Sequence, residues 1–151
     1  HINMVSVLDA GIFFSGLNTG ALLRVNAEMQ VALVCSLPTG CHNAQPFQGG
    51  VLFNDTASNV VRCVDRSGKS VAQKVMLYPE QELDYAGVDS SKVARQGFAR
   101  GLCVIEDKTV AVGTSPSTIT LYDLQAGSRL TGVNLTRDIR NAIHGLEVWP
   151  F

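Results

Sequence analysis

A repeat of strands and turns is the feature that most constrains how this 151-residue chain folds. Each unit begins with a polar residue and an alternating run, passes through a turn and a strongly apolar strand, and ends with a second strand that finishes at Asn or Asp. The units are HINMVSVLDAGIFFSGLNTGALLRVN from His1, HNAQPFQGGVLFNDTASNVVRCVD from His42 and RGLCVIEDKTVAVGTSPSTITLYD from Arg100. The strands MQVALVCSL, SVAQKVML and SRLTGVNL close them, and HGLEVWPF begins a new unit at His144.

The spacing of these units predicts β-propeller blades. Their starts at 1, 42, 100 and 144 lie 41, 58 and 44 residues apart, and a period of about 40 residues with four strands is typical of a blade. A β-sandwich would not repeat its turns in phase, and a parallel β-helix has a shorter period. We expect one all-β segment with four-stranded blades at about 1–40, 41–77 and 99–142, the first strand of a fourth blade at 143–151, and an insertion at 78–97.

Three blades and a fraction do not close a ring, because a propeller needs at least four blades and each blade buries its faces against its neighbours. We therefore expect part or half of a six-bladed propeller, completed by further sequence outside these 151 residues, by a second copy of the chain or by another chain. The start at His1, without an initiator Met or a signal-peptide pattern, favours a processed product, a fragment or one piece of a larger protein.

Two stretches, FARGLCVIEDKTVAVGTS with ITLYDLQAG and the opening HINMVSVLDAG, resemble an uncharacterised bacterial family of six-bladed β-propellers. That family is similar to NHL-type, gluconolactonase-like and strictosidine-synthase-like propellers. The resemblance covers the chain outside the insertion and implies blade structure throughout. In the gluconolactonase-like enzymes, Glu, Asn and Asp side chains hold a divalent metal at the channel mouth, and no Glu of this sequence matches that set.

The residues that open the repeats are His1, His42, Arg100 and His144, and they include all three histidines of the chain. The loop that enters the innermost strand of a blade lies at one pole of a propeller, so these side chains are predicted to meet there. His1, His42 and His144 are candidate ligands of a divalent metal. Arg100 is the candidate clamp for a carboxylate or phosphate. A metal-free ligand site and purely structural anchoring between blades remain alternatives.

A second set of polar residues is predicted to contribute to substrate binding with Arg100. Asn3 and Asn43 lie close behind the histidines that open their repeats, and Asn54 and Asp55 end a strand of the second repeat. The alternative for the last two is a β-turn capped by its own side chains. The insertion at 78–97 is a candidate lid over a pole, since long insertions between regular elements are often functional.

Several classes of function lack support. Twelve basic and thirteen acidic residues leave a charge of −1 without a basic stripe, so neither nucleic acid nor a membrane is an expected partner. Serine-hydrolase, zincin, Walker and dinucleotide-binding motifs are missing from the sequence. The remaining hypotheses are a metal-assisted hydrolase or lyase for a small molecule, with His42, Arg100 and His144 as catalytic residues, and a non-catalytic scaffold for protein–protein interaction.

The four cysteines have no metal-binding spacing, and Cys63 and Cys103 alternate with apolar residues in predicted strands. We expect reduced, structural thiols. Cys35 and Cys41, which flank a Pro-Thr-Gly turn, are the one pair that could form a disulfide. The compartment stays open, with the cytoplasm favoured.

Overall fold

The computed structural model describes residues 2–87 and 94–149, which form three four-stranded antiparallel sheets. Blade 1 contains β1 (Ile2–Leu8), β2 (Gly11–Gly16), β3 (Ala21–Val25) and β4 (Val31–Ser36). Blade 2 contains β5 (His42–Phe47), β6 (Gly50–Asp55), β7 (Val60–Val64) and β8 (Ser70–Lys74). Blade 3 contains β9 (Gly101–Val104), β10 (Thr109–Thr114), β11 (Thr118–Asp123) and β12 (Ser128–Asn134).

The strands of each sheet follow one another in chain order, hairpin by hairpin, as in a propeller blade. The predicted all-β fold is therefore confirmed. Within the described ranges, none of the segments forms a helix with the length and hydropathy needed to cross a bilayer.

Two hydrophobic cores lie between consecutive blades rather than within one sheet. Neighbouring side chains on β6 point to opposite faces, so Val51 and Phe53 pack towards blade 1 while Leu52 packs towards blade 3. Each fully buried Val, Leu or Phe side chain contributes about 1.5–3 kcal/mol to folding. The first core contains Phe13, Leu22, Leu37, Cys41, Ala44, Val51 and Phe53. The second contains Phe47, Leu52, Val61, Val75, Ala99, Leu102, Val110, Val112, Tyr122 and Leu124.

The two end blades expose apolar side chains. Val5 and Val7 on β1 are 56% and 76% exposed, and Leu130 and Val133 on β12 are 54% and 52% exposed. Blade 2, which has a neighbour on each side, buries most of β6. This contrast is what an arc of blades from an incomplete ring produces, because only a neighbouring blade covers a blade face.

The segment predicted to start a fourth blade has a different conformation in its described part. Residues 141–149 form no strand; instead the Ile143 N–H donates to the Thr114 carbonyl at 3.3 Å, and its side chain lies over Gly113. An inner strand needs a hydrogen-bonded partner strand, and the described residues supply none beyond blade 3. The predicted strand is therefore not observed over 143–149, and residues 150 and 151 lie outside the described part of the chain.

The described part of the insertion packs against the loop that follows β12. A short 3-10 helix occupies Glu80–Glu82, and the Asp84 N–H donates to the Arg137 carbonyl at 3.0 Å. Two guanidinium groups stack on aromatic rings of the insertion: Arg137 lies 3.7 Å from the Tyr78 ring centre, and Arg140 lies 3.5 Å from that of Tyr85. These cation–π contacts anchor the insertion beside blade 3.

Candidate functional site

A cavity of about 840 Å³ lies at the end of the blades where the inner strands β5 and β9 begin. We call it the mouth cavity. It is lined by Asn3, Leu17, Gly40, His42, Thr56, Ala57, Arg95, Phe98, Arg100 and His144. Its volume lies within the range of about 300–1,000 Å³ that small-molecule sites occupy.

The structure brings together four of the residues singled out in the sequence. Asn3, His42, Arg100 and His144 all line the mouth cavity. Asn43 lines a smaller adjoining cleft, to which Asn3 and His144 also contribute. The remaining predicted metal ligand, His1, lies outside the described residues.

His42 is the first residue of β5 and is held by a hydrogen bond between its ring and a threonine hydroxyl. It is 8% exposed, and its Nδ1 lies 2.9 Å from Thr56 Oγ1. Burial lowers the pKa of His42 below its usual value, with further contributions from the positive charge of Arg100 and from His144, while the carbonyl of Gly40 acts in the opposite direction. These surroundings favour a neutral imidazole at the edge of the cavity.

Arg100 precedes β9 and places its guanidinium 4.0 Å from the ring centre of Phe98. Its Nε is buried and has no hydrogen-bond acceptor. Burial lowers the pKa of Arg100, because withdrawal from water disfavours the charged form. In the described part of the chain, no carboxylate lies within ion-pairing distance of this guanidinium.

Among the six lining residues that were not singled out in the sequence, three have polar or aromatic side chains: Thr56, Arg95 and Phe98. Arg95 donates to Asn59 Oδ1 at 2.6 Å and to the carbonyl of Thr56. Its guanidinium lies 4.8 Å from the Phe98 ring centre. The signal available in the sequence is the stretch Arg95-Gln-Gly-Phe-Ala-Arg100, in which two arginines flank one phenylalanine at the end of the insertion.

Asn54 and Asp55 do not line the mouth cavity. Asn54 is completely buried, and its Nδ2 donates to the Gly101 carbonyl at 3.0 Å, which links β6 to the inner strand of blade 3. Asp55 forms a 3.0 Å ion pair with Arg62 and accepts the Ser58 N–H at 3.3 Å. The structure thus places both side chains in bonds within the fold, and Asp55 caps a turn.

Asn3 and Asn43 join blade 1 to blade 2. The Nδ2 group of Asn3 donates to the Cys41 carbonyl at 3.4 Å, and its Oδ1 accepts the backbone N–H of Asn43 at 3.3 Å. The Asn43 side chain donates to the Asn3 carbonyl at 3.3 Å. Asn3 therefore stabilises the blade junction as well as lining the cavity.

No group of three potential metal ligands among His, Cys, Asp and Glu is found within the described ranges. His42 and His144 are two of the three predicted ligands, and the positive charge of Arg100 in the same cavity opposes cation binding there. All four cysteines carry free thiols, so Cys35 and Cys41 are not joined. Burial, followed by the charge of Asp55, raises the pKa of Cys41 to about 11, which leaves that thiol protonated.

No protein-family model matches the chain, and no curated protein matches its sequence. Among solved structures, it is similar to a catalytically inactive histidine-to-alanine variant of virginiamycin B lyase from Staphylococcus aureus, solved with quinupristin. That match has 11% identity and a TM-score of 0.56, and it covers 89% of this chain and 41% of the lyase chain.

Two further structures match over 82% of this chain. A selenomethionine-substituted virginiamycin B lyase from Staphylococcus aureus has 13% identity, a TM-score of 0.46 and 41% of its own chain covered. A streptogramin B lyase has 14% identity, a TM-score of 0.46 and 40% covered. The chain thus spans about two fifths of the length of these three lyase structures.

The similarity shows the class of fold: the chain is part of a β-propeller. It does not extend to a particular family, because identities of this size establish the fold alone.

Proposed function

We propose that the mouth cavity binds a small anionic molecule, with Arg100 as its anchor. The observation that carries this proposal is the half-buried Arg100 side chain, whose buried Nε has no hydrogen-bond acceptor and whose guanidinium lacks a carboxylate partner in the described part of the chain. Removing a cation from water is costly unless an acceptor replaces the water. A bound carboxylate or phosphate would accept two parallel N–H bonds from this group and offset that cost.

The surroundings of Arg100 support an anion that also carries an apolar part. Phe98 lies under the guanidinium, and Leu17 and Ala57 add apolar surface to the lining. Stacking on the ring fixes the plane of the guanidinium while leaving its outer N–H groups available. Arg95, at the insertion side of the cavity, adds a second positive charge to the same space.

For the reaction, we propose lyase-type chemistry, with hydrolysis as the second candidate. A neutral His42 is suited to act as a general base. It would take a proton from a carbon next to the anchored anionic group. The electron pair of that C–H bond forms a C=C bond, and the leaving group departs with its own bonding pair. His144, across the same cavity, would donate a proton to that group. The similarity to a lyase of known structure favours this class.

We further propose that additional blades complete the ring and cover the exposed faces of β1 and β12, supplied by a second copy or by another chain. The apolar side chains exposed there support this proposal. Sedimentation of the purified chain is expected to show a species larger than one copy. A stable monomer of 16.2 kDa would contradict self-assembly.

The anchor is tested by titrating inorganic phosphate and acetate into the protein and following backbone NMR shifts. Arg100→Gln is expected to weaken binding of both anions by about tenfold or more, because one charged hydrogen-bond partner is worth about 1.5–3 kcal/mol. Arg129→Gln, which removes an exposed arginine on β12, serves as the matched control and should bind like the parent.

Equal binding by Arg100→Gln and the parent would refute the anchor. A folded parent that binds neither anion would favour the scaffold hypothesis. The divalent-metal hypothesis is checked on the same samples by metal analysis: near-stoichiometric metal that disappears in His42→Ala with His144→Ala would favour a metal site over the anion site.

A further inference from the structure

We infer that Thr56 is a positioning residue that holds His42 in one tautomer, with the proton on Nδ1 and the lone pair on Nε2. The inference deepens the proposed function, on which its chemical consequence rests. It stands on two short contacts of one hydroxyl group: Thr56 Oγ1 lies 2.9 Å from His42 Nδ1 and 2.8 Å from the Ala99 carbonyl oxygen.

A threonine hydroxyl has a single proton to donate, so these two contacts have only one satisfactory arrangement. The Ala99 carbonyl can only accept, and Ala99 is fully buried. If Thr56 donated to His42 instead, this buried carbonyl would lose its donor, which is the costlier outcome. Thr56 therefore donates to Ala99 and accepts from His42, which places the ring proton on Nδ1.

The hydroxyl itself is held firmly. Thr56 is 2% exposed, and its backbone carbonyl accepts a hydrogen bond from Arg95 of the insertion. Ala99 belongs to the segment that leads into β9, so the contact between Thr56 and Ala99 crosses from blade 2 to blade 3. The ring orientation of His42 is consequently set by the packing of two blades and the insertion.

The charges around His42 agree with an unprotonated Nε2. Arg100 and His144 are the titratable side chains that act on it; Arg100 opposes a second positive charge, and only the Gly40 carbonyl favours one. When Nε2 takes a proton from a bound molecule, the imidazolium keeps its Nδ1–H bond to Thr56, so no group has to rotate. This is the arrangement by which an acceptor on one ring nitrogen prepares the other as a base.

The test is a long-range proton–nitrogen NMR spectrum of the full chain labelled with ¹⁵N-histidine, recorded at a pH where imidazoles are neutral. The His42 signals are assigned by their loss in His42→Gln. We expect Nδ1–H in the parent and in Thr56→Ser, which keeps the hydroxyl. Thr56→Val, which has the same shape without it, should shift His42 towards the Nε2–H tautomer.

An Nε2–H tautomer in the parent would overturn the inference whether or not Thr56→Val folds, and so would an unchanged tautomer in folded Thr56→Val. Phosphate binding is measured on the same samples. If the parent did not bind phosphate, the proposed function would be refuted while the tautomer assignment stayed intact. The two failures are therefore distinguishable.

Discussion

Gly113 on β10 provides a sharp test of how the segment before His144 is held. A Cβ atom at this position would lie 2.4 Å from Ile143 Cγ2 and 2.6 Å from Ile143 Cβ. Contacts this short require the backbone of one segment to move. Overpacking of this kind costs about 1–3 kcal/mol. An exposed strand glycine behaves in the opposite way, since replacing it by alanine stabilises by about 0.5–1 kcal/mol. The sign of the effect therefore decides whether Ile143 rests on Gly113.

Gly113→Ala is expected to lower the free energy of unfolding measured by urea denaturation, and to lower the Tm by about 2–4 °C for each kcal/mol in a domain of this size. Ile143→Gly removes both short side-chain contacts. In a double-mutant cycle, Gly113→Ala should cost about 1 kcal/mol less in the Ile143→Gly background. His144 should also lose its NMR shift response to phosphate in Gly113→Ala. A variant as stable as the parent, with no coupling to Ile143, would refute the placement.

Two further predictions follow from the buried polar groups. Asn54→Ala should destabilise the fold by about 1–3 kcal/mol, because it removes the hydrogen bond from the Asn54 amide to the Gly101 carbonyl in a fully buried place. Asn141→Ala, at an exposed position, is the control. If urea denaturation showed the same loss of unfolding free energy for both variants, this role of Asn54 would be contradicted. The pKa of His42, followed by NMR titration, should lie below its usual value and rise in Arg100→Gln. Since the unfolded chain protonates His42 more readily, this residue makes stability fall as the pH drops below about 6.5; a normal pKa in the folded chain would exclude this effect.

The blades were predictable from the sequence because their signal is local. Alternation along β6 separates Val51 and Phe53 from Leu52, and each set reaches a different core. A period near 40 residues is also visible without any knowledge of packing. The meeting of His42 and Arg100 at one cavity followed from the same phase, since equivalent repeat positions lie at the same pole. His144 lines that cavity too, although its segment does not form the predicted strand.

The roles of the other polar residues depended on contacts that no local pattern contains. The sequence indicates substrate binding or a capped turn for Asn54, yet its amide donates to the Gly101 carbonyl of the next blade. Thr56 follows β6 and meets the Ala99 carbonyl across the blade junction. Arg95 belongs to the insertion, which packs beside blade 3 through the stacking of Arg137 on Tyr78. These contacts join residues about 40–60 positions apart, and the periodicity of a single sequence predicts only local structure.

Comparison of the three blades explains why Ile143 packs against β10. The fifth residue of the second strand in each blade meets the segment that enters the next blade. In blade 1 it is Ser15, whose hydroxyl accepts the Ala44 N–H at 3.1 Å. In blade 2 it is Asn54, which reaches the Gly101 carbonyl. In blade 3 it is Gly113, which has no side chain to offer, and Ile143 fills the space directly.

The third junction therefore lacks the side-chain hydrogen bond of the first two, and apolar contact with Ile143 is joined there by one backbone hydrogen bond, from the Ile143 N–H to the Thr114 carbonyl. Hydrogen bonds between side chain and backbone fix the register of a strand, whereas apolar contact tolerates sliding. His144, which follows Ile143 and lines the mouth cavity, is accordingly the least firmly held of the three residues that meet there. His42 and Arg100 are in contact with Thr56 and Phe98. In the reaction proposed above, anion binding and proton abstraction would therefore depend on these two side chains, and His144 would act on the leaving group.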